Sequence, residues 1–427
     1  MRIERSSTVV AAALAVSLTL AGCSSPAGSD DRSITVWSMN GDLSKATLDA
    51  INERFTARTG VTVDLQIQQW DNIITKITTA LATADAPDVL DLGNTQVPIY
   101  AANGGLADLT GYRADLQQGR TWLAGLEEPA TQDGRLYGVP SFAGNRTVIY
   151  NRTIWAGAGV TEPPSTFEEL TEALDAVRAA RPDPGFSPFY YPGRYAFGPL
   201  GFVWDAGGEI ATVADGAWKA GFSSPEAQRG LVEFRDFQNR YSTPSSQSAH
   251  VDSPEQSQIF ADGLASAILG VSSDIDKIKA ANPKLKDADL GTFPFPGTSG
   301  RNQPVMLGGS VWGVSAASRK LDRAVEWIRI ATSPEIQAEY VYANDLWIPN
   351  NTAAVTAALE SGTMSPLIAG FFRAATNSKA TPSAANWATI ENDQSLPNFF
   401  STVASGAKSP EQAAREFDDH IESVLND

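Results

Sequence analysis

Tryptophans that stand beside short polar side chains are the residues of this chain best suited to ligand chemistry. The sequence has 10 Trp, and examples are Trp70-Asp71, Trp204-Asp205, Asn386-Trp387 and the run Trp37-Ser38-Met39-Asn40. An indole can cover the apolar C–H face of a sugar, while Asp, Asn or Gln exchange hydrogen bonds with its hydroxyls. This combination favours carbohydrate binding, although most single tryptophans of a globular protein pack in its core.

Catalytic motifs are largely missing. No common Gly-rich phosphate loop is present, and Gly308-Gly309-Ser310-Val311-Trp312 lacks the last glycine of a nucleophile elbow. Ser405-Gly406-Ala407-Lys408 matches the weak Ser-x-x-Lys pattern, but no Lys-Thr-Gly accompanies it. The two histidines, His250 and His420, are far apart in the sequence. We therefore expect no enzyme, no cofactor and no metal. A surface glycoside hydrolase remains the alternative, because it needs only two carboxylates.

The composition excludes several classes of partner. The 427 residues include 32 Lys+Arg and 49 Asp+Glu, which gives a formal net charge of -17. Such an acidic chain has little basic surface for nucleic acid or for anionic lipid. The single cysteine excludes an intramolecular disulfide and a Cys-based zinc site. The length allows two or three domains.

The first residues have the pattern of an export signal. Arg2 and Arg5 precede an apolar run, Val9 to Leu20, which is too short to span a membrane. Leu20-Ala21-Gly22-Cys23 follows and resembles the lipobox of bacterial lipoproteins. The resemblance implies a signal peptide at 1–22, lipidation of Cys23 and a tether at 23–32. We expect a protein outside the cytoplasm, anchored to the cell membrane by Cys23.

The mature chain begins with alternating strand and helix patterns. Strands are predicted at Ser33 to Trp37, Val61 to Ile67 and Pro87 to Leu92, with helices between them. This β-α-β-α-β order indicates a parallel sheet with helices on both faces. Ligands bind beyond the carboxyl ends of such strands, so Ser38 to Asp42 and Gly93 to Gln96 are the candidate site loops.

Helix starts recur further along. Ser165-Thr166-Phe167-Glu168 is predicted to be a capping box. Four Ser-Pro-Glu triplets are predicted to begin helices, each with an N-cap serine, an N1 proline and a first-turn acid. They start at Ser224, Ser253, Ser333 and Ser409.

Six stretches, in this order and spacing, carry a family resemblance. They are Val36-Trp37 with Asn40-Gly41-Asp42; Ala86 to Leu90 with Tyr100-Ala101 and Gly105-Leu106; Tyr137 to Pro140 with Val148 to Arg152; Pro164 to Leu170; Phe260 with Gly263; and Phe293 to Gly297 with Gly308-Gly309 and Ala324 to Ile328. Over residues 33–427 the chain resembles the extracellular solute-binding proteins of ATP-driven (ABC) importers, in the carbohydrate-binding branch that includes the maltose-binding proteins.

The resemblance implies an α/β, two-lobed periplasmic-binding-protein fold, hinged around a central cleft. Each lobe would be a mainly parallel sheet with flanking helices. Lobe one would comprise 33–142 plus 296–332, and lobe two 143–295 plus 333–427. The cleft would close on a sugar and deliver it to a membrane permease. We also expect a monomer.

The resemblance carries over to some site residues and not to others. Asn40 and Asp42 match a loop that hydrogen-bonds sugar hydroxyls, and Tyr195 and Trp387 match aromatic sugar contacts. Asn94, Thr95 and Gln96 stand where the maltose-binding proteins have an aromatic and an acid. Asp274 lies in a segment, Ser272 to Asp274, that lacks the family's tryptophan. Local chemistry adds four further candidates, which are Trp204, Asp205, Trp312 and Trp347.

The departures leave a second kind of ligand open. Some relatives bind a glycerophosphodiester, whose phosphate would need arginine or a helix N-terminus in the cleft. Arg146, Arg194 and Arg301 are the candidates for that role.

Overall fold

The computed structural model describes residues 32–427. The signal peptide, Cys23 and nearly all of the tether lie outside these residues. The strands are β1 (Ser33–Met39), β2 (Thr62–Gln68), β3 (Val89–Gly93), β4 (Thr131–Gln132), β5 (Arg135–Leu136), β6 (Val139–Gly144), β7 (Thr147–Asn151), β8 (Ala211–Ala214), β9 (Ala217–Ala220), β10 (Ala267–Gly270), β11 (Leu290–Phe293), β12 (Val305–Met306), β13 (Gly308–Val314), β14 (Ile348–Pro349) and β15 (Ser378–Lys379).

The helices surround two of the sheets. They are α1 (Lys45–Thr59), α2 (Ile73–Leu81), α3 (Val97–Ala102), α4 (Arg113–Gln117), α5 (Ala124–Glu127), α6 (Arg152–Gly157), α7 (Phe167–Ala180), α8 (Leu200–Asp205), α9 (Pro225–Tyr241), α10 (Gln256–Ala261), α11 (Ser272–Ala281), α12 (Leu321–Ala331), α13 (Pro334–Ile336), α14 (Thr352–Glu360), α15 (Pro366–Ala375), α16 (Trp387–Asn392), α17 (Ser395–Ser405) and α18 (Pro410–Leu425). Within the described residues, none of these helices has the length and apolar character needed to cross a bilayer.

The first lobe is built on a six-stranded mixed sheet, with the order β14-β6-β13-β3-β1-β2. Strand β1 runs parallel to β2 and β3, as the β-α-β-α-β pattern predicts. Strand β13 returns antiparallel between β3 and β6. Helix α1, one of the helices predicted between the strands, has Ser44 as its N-cap and Gly60 in the left-handed conformation at its C-cap. Because β1 and β3 are parallel neighbours, the loops that follow them lie side by side at the carboxyl ends of these strands.

The second lobe has a three-stranded sheet, β10-β7-β11, in which both neighbours run antiparallel to β7. The two-lobed α/β architecture is confirmed, but the mainly parallel sheet expected in each lobe is not found, because three of the five pairings in the first sheet are antiparallel as well. The pattern that indicated parallel pairing covers only residues 33–92. Strands β7, β10 and β11 come from distant parts of the chain, and their direction is set by tertiary packing rather than by a repeated β-α-β unit.

The segment after residue 332 packs on the first lobe, whereas the second segment of lobe two, 333–427, was expected to begin there. Strand β14 pairs with β6 of the first sheet. Ile336 and Val341 are buried in the same core cluster as Ile51 and Phe55 of α1. We therefore assign residues 333–350 to the first lobe.

Most predicted helix starts are confirmed. Ser224, Ser333 and Ser409 each cap a helix, whereas Ser253 instead pairs with His250 in an isolated bridge. The capping box of α7 is shifted by one residue, because Thr166 is its N-cap and Glu169 closes the box.

Candidate functional site

Asp42 lies in the loop after β1 and accepts hydrogen bonds from strand β13, from the loop after β2 and from the segment before β14. Its carboxylate accepts from the Ser310 hydroxyl at 2.6 Å and from Trp70 Nε1 at 3.3 Å. Its backbone carbonyl accepts from Trp347 Nε1 at 2.8 Å. The neighbouring Asn40 is exposed and donates to Gln69 at 3.2 Å. Asp42 thus lies between two indole groups that belong to different loops.

A second carboxyl group lies beneath Asp42. Asp91 of β3 is fully buried, and one of its oxygens accepts from the Ser38 hydroxyl at 3.3 Å and the Met39 amide at 3.1 Å. Burial, and secondarily the charge of Asp42, hold the pKa of Asp91 well above its usual range. Burial also raises the pKa of Asp42 to about 6, against the opposing effect of its hydrogen bonds. Asp42 and Asp91 therefore form a protonatable carboxyl pair where β1 and β3 end.

Trp347 forms one wall of this region. Its ring stacks on Phe142 with ring centroids 4.7 Å apart. A Cβ atom on Gly144, the last residue of β6, would lie 3.3 Å from the indole. The absence of a side chain at Gly144 therefore allows Trp347 to lie against the end of the strand.

A cavity of about 630 Å³ lies between the two lobes, beside Trp347. The first-lobe wall comes from Tyr342 and the segment Ala343 to Trp347, and the second-lobe wall from the starts of α11 and α15. Leu346 in this wall is 56% exposed and has a φ of 60°, which is unfavourable for leucine. The volume is in the range of small-ligand pockets. An exposed apolar side chain held in a strained conformation is consistent with a ligand contact.

A hydrogen-bond chain connects the lobes near the loop after β3. The Thr95 hydroxyl donates to Glu391 Oε2 at 3.1 Å, and Trp387 Nε1 donates to Glu391 Oε1 at 2.8 Å. Trp387 is fully buried in the second-lobe core cluster. Burial raises the pKa of Glu391, while these two hydrogen bonds oppose the rise. Two predicted site residues thus meet through Glu391, which the sequence reasoning missed. The Trp387–Glu391 spacing of four residues on one helix was the available signal.

The other residues of the loop after β3 lie near the same edge. Asn94 is buried and donates to the backbone carbonyls of Gly125 and Leu307 at 3.2 and 2.9 Å. Gln96 accepts from the Tyr100 hydroxyl at 3.3 Å. Asn94 therefore fixes the shape of the loop, and Gln96 lies beside Gly93 at its start.

Tyr195 belongs to the second lobe and is buried. Its hydroxyl donates to the Leu269 carbonyl at 3.1 Å, and the Arg146 guanidinium lies 5.5 Å from its ring centroid. Burial raises the pKa of Tyr195, with Arg146 opposing the rise. The three arginines considered for a phosphate do not converge. Arg146 and Arg301 line separate cavities, and Arg194 lines neither of them.

Four further predicted residues do not line the cavity between the lobes. Trp312 is fully buried and packs edge-on against Trp327 at 4.8 Å, because β13 is central in the first sheet. Trp204 is buried in the second-lobe core.

The two acids are occupied by backbone contacts. Asp205 accepts from the Ser299 amide at 3.0 Å and holds the turn around it. Asp274 is buried and accepts from the Val271 amide at 3.0 Å at the start of α11. Neither side chain lines the cavity between the lobes, although Ser272 and Ser273 beside Asp274 do.

No group of three or more His, Cys, Asp or Glu side chains within residues 32–427 is arranged to hold a metal ion.

Comparison with known proteins agrees with this architecture. The diacetylchitobiose binding protein DasA of Streptomyces coelicolor is 32% identical over 403 residues, covering 92% of this chain and 89% of the relative. The sugar-binding protein MalE of Xanthomonas citri superposes with a TM-score of 0.80 at 22% identity, covering 92% of this chain and 97% of that chain. A cyclo/maltodextrin-binding protein complexed with maltotetraose superposes with a TM-score of 0.77 at 20% identity, covering 94% and 99%. The sequence profile of the bacterial extracellular solute-binding proteins matches residues 40–338, which is more than half of the chain. The chain therefore belongs to the family of bacterial extracellular solute-binding proteins.

Proposed function

We propose that this protein captures a sugar in the cleft between its lobes and delivers it to the permease of an ABC importer. The observation that carries the proposal is the position of Asp42 and Trp347 beside the 630 Å³ cavity between the lobes. A carboxylate accepts hydrogen bonds from sugar hydroxyls, and an indole covers the apolar face of the ring. The DasA relative, named for diacetylchitobiose, makes this disaccharide the first ligand to test.

Closure of the lobes would favour capture. A ligand that touches both cavity walls binds the closed state better than the open one, and so shifts the equilibrium towards closure. Trp347 and Leu346 come from the first lobe, whereas Ser272 and Lys279 come from the second. The ligand would replace water between these two walls.

A test of the ligand class is a thermal-shift screen of residues 33–427. The panel contains diacetylchitobiose, maltose, maltotetraose and glycerophosphocholine. A bound ligand raises the unfolding temperature by mass action. We expect a shift with at least one sugar and none with glycerophosphocholine. The reverse result would favour the phosphodiester alternative.

Binding without cleavage is tested on the same samples. Titration calorimetry measures the heat of binding, and mass spectrometry then reports whether the sugar is intact. We expect saturable binding and unchanged sugar. Release of shorter products would instead support a glycoside hydrolase.

We also propose that Cys23 carries a lipid that holds the protein at the outer face of the membrane. The Leu20-Ala21-Gly22-Cys23 sequence supports this. Cys23→Ser in the full chain is expected to abolish palmitate labelling and to move the protein from the membrane to the soluble fraction. Unchanged labelling would contradict the lipid anchor.

The expected monomer is a separate prediction. Size-exclusion chromatography with light scattering of residues 33–427 would measure the oligomeric state.

A further inference from the structure

The loop after β3, Asn94 to Gln96, has no aromatic residue. Trp70, from the loop after β2, lies against this loop instead. We propose that Trp70 is a sugar-stacking residue that adds a second subsite next to Asp42, so that the protein selects ligands of two or more rings. This inference rests on the proposed sugar-binding function.

Trp70 is held in place although its ring is exposed. Its Nε1 donates to Asp42 Oδ1 at 3.3 Å. A Cβ atom on Gly93 would lie 3.6 Å from Trp70 Cζ3, so the ring is in contact with the end of β3. The side chain is nevertheless 39% exposed. A scattered exposed tryptophan would need no explanation, but one fixed by a hydrogen bond to a largely buried carboxyl group offers a positioned apolar surface.

Trp347 has the matching arrangement on the other side of Asp42. It lies against Gly144, the last residue of β6, as Trp70 lies against Gly93, the last residue of β3. Strand β13 runs between β3 and β6, and it pairs Gly93 with Ser310 and Gly144 with Gly308. Two strand spacings and an offset of two residues place the two glycines about 12 Å apart. Ser310 of β13 pairs with Gly93 and donates to Asp42 from this gap. The two indoles therefore lie on either side of one hydrogen-bonding centre.

The positions of Trp347 and Trp70 relative to the cavity differ. Trp347 lines the cavity between the lobes, whereas Trp70 lies outside it. A ligand that fills the cavity and extends past Asp42 would place its next ring on Trp70. A single ring can be held in the cavity without Trp70, but a longer sugar gains the second stacking surface. Trp70 is therefore expected to determine the preference for oligosaccharides over monosaccharides.

The experiment compares matched pairs of sugars by titration calorimetry on residues 33–427. The pairs are N-acetylglucosamine with diacetylchitobiose, and glucose with maltose and maltotetraose. Trp70→Ala is expected to weaken binding of the preferred oligosaccharide about ten-fold, which is typical of a lost stacking contact. Binding of the monosaccharide should change less than two-fold. Trp70→Phe should retain part of the oligosaccharide affinity. Trp218→Ala is the control, since Trp218 lies in the β8–β9 hairpin of the second lobe.

Three outcomes of the calorimetry would overturn the role of Trp70 and leave the proposed function standing. Unchanged oligosaccharide affinity in Trp70→Ala would exclude a contact. Equal losses for monosaccharide and oligosaccharide would indicate that Trp70 only positions Asp42. If the wild type binds monosaccharides and oligosaccharides with equal affinity, the proposed selection for oligosaccharides is wrong. A wild type that binds no sugar would defeat both.

A measurement on the wild type does not depend on how the variants fold. N-bromosuccinimide oxidises accessible indoles, and peptide mapping reports which tryptophan has reacted. The oligosaccharide is expected to protect Trp70 at least five-fold relative to the monosaccharide. Equal oxidation of Trp70 with and without the oligosaccharide would also overturn the inference.

Discussion

The Thr95 hydroxyl in the first lobe donates a hydrogen bond of 3.1 Å to Glu391 in the second lobe. The contact joins the loop after β3 to helix α16, which are 296 positions apart in the chain. Because the acceptor is largely buried, this hydrogen bond partly compensates for the desolvation of the carboxylate. It is a direct link between the two lobes.

Thr95→Val keeps the shape of Thr95 but removes the donor. We expect it to lower the free energy of unfolding by about 1 kcal/mol at neutral pH and to raise the pKa of Glu391 further. We also expect the ligand-free protein to open, which would increase the radius of gyration in small-angle X-ray scattering. Thr83→Val, at an exposed position, is the control. An unchanged radius of gyration would mean that the hydrogen bond does not hold the lobes together.

The carboxyl pair gives a prediction for pH. When the pKa of a carboxyl group is higher in the folded protein than in the unfolded chain, the free energy of unfolding of the protein falls as the pH rises between these two pKa values. For Asp42 this interval runs from 3.8 to about 6. Burial of Asp42 alone should therefore cost at most about 3 kcal/mol above this interval. Asp91→Asn replaces the buried carboxyl group with a neutral amide and keeps an oxygen acceptor for the Met39 amide.

We expect Asp91→Asn to unfold at a higher temperature than the wild type at pH 7 and at a similar temperature at pH 4. Differential scanning calorimetry at half-unit pH steps measures the difference. Asp85→Asn, on the exposed surface, should leave the profile unchanged. A variant less stable than the wild type at pH 7 would indicate that the charged form of Asp91 is stabilising.

Trp387 illustrates why a ligand role cannot be tested with alanine at every site. The side chain is fully buried, so Trp387→Ala is expected to cost about 3–5 kcal/mol through the cavity that it leaves. Trp387→Phe keeps most of the volume but removes the donor to Glu391. We expect Trp387→Phe to weaken sugar binding in calorimetry with a much smaller loss of unfolding temperature. Normal affinity in this variant would limit Trp387 to a packing role.

Local patterns predicted strands β1, β2 and β3 of the first sheet well, but not β6, β13 and β14. The alternation of β1 and β2 and the caps of α1 are encoded within a few residues, and they place Asp42 and the loop after β3 at one edge. The pairing of β7 with β10 and β11 is not encoded in this way, because it joins segments more than a hundred residues apart. Local patterns could not predict the Thr95–Glu391 hydrogen bond for the same reason, because 296 positions separate the two residues.

Residue type alone did not separate ligand tryptophans from core tryptophans. Trp312 and Trp347 both looked suitable, but Trp312 belongs to a strand covered on both faces and is fully buried. Trp347 precedes an edge strand and reaches the cavity. Trp70 was visible in the sequence as Trp70-Asp71, but only the structure brings it to Asp42. Burial and remote contacts thus decided which indoles line the site.

Gly144 offers a way to move the Trp347 ring without removing it. A Cβ atom there would lie 3.3 Å from the indole, so Gly144→Ala should displace the ring by a few tenths of an ångström. Because Trp347 Nε1 donates to the Asp42 carbonyl, the shift would also lengthen that hydrogen bond. We expect weaker sugar binding, by about three- to ten-fold, with an unfolding temperature close to that of the wild type. Gly111→Ala is the matched control, because its Cβ would meet no atom within 4 Å. Equal affinities of the two variants in calorimetry would indicate that the position of Trp347 does not matter for the ligand.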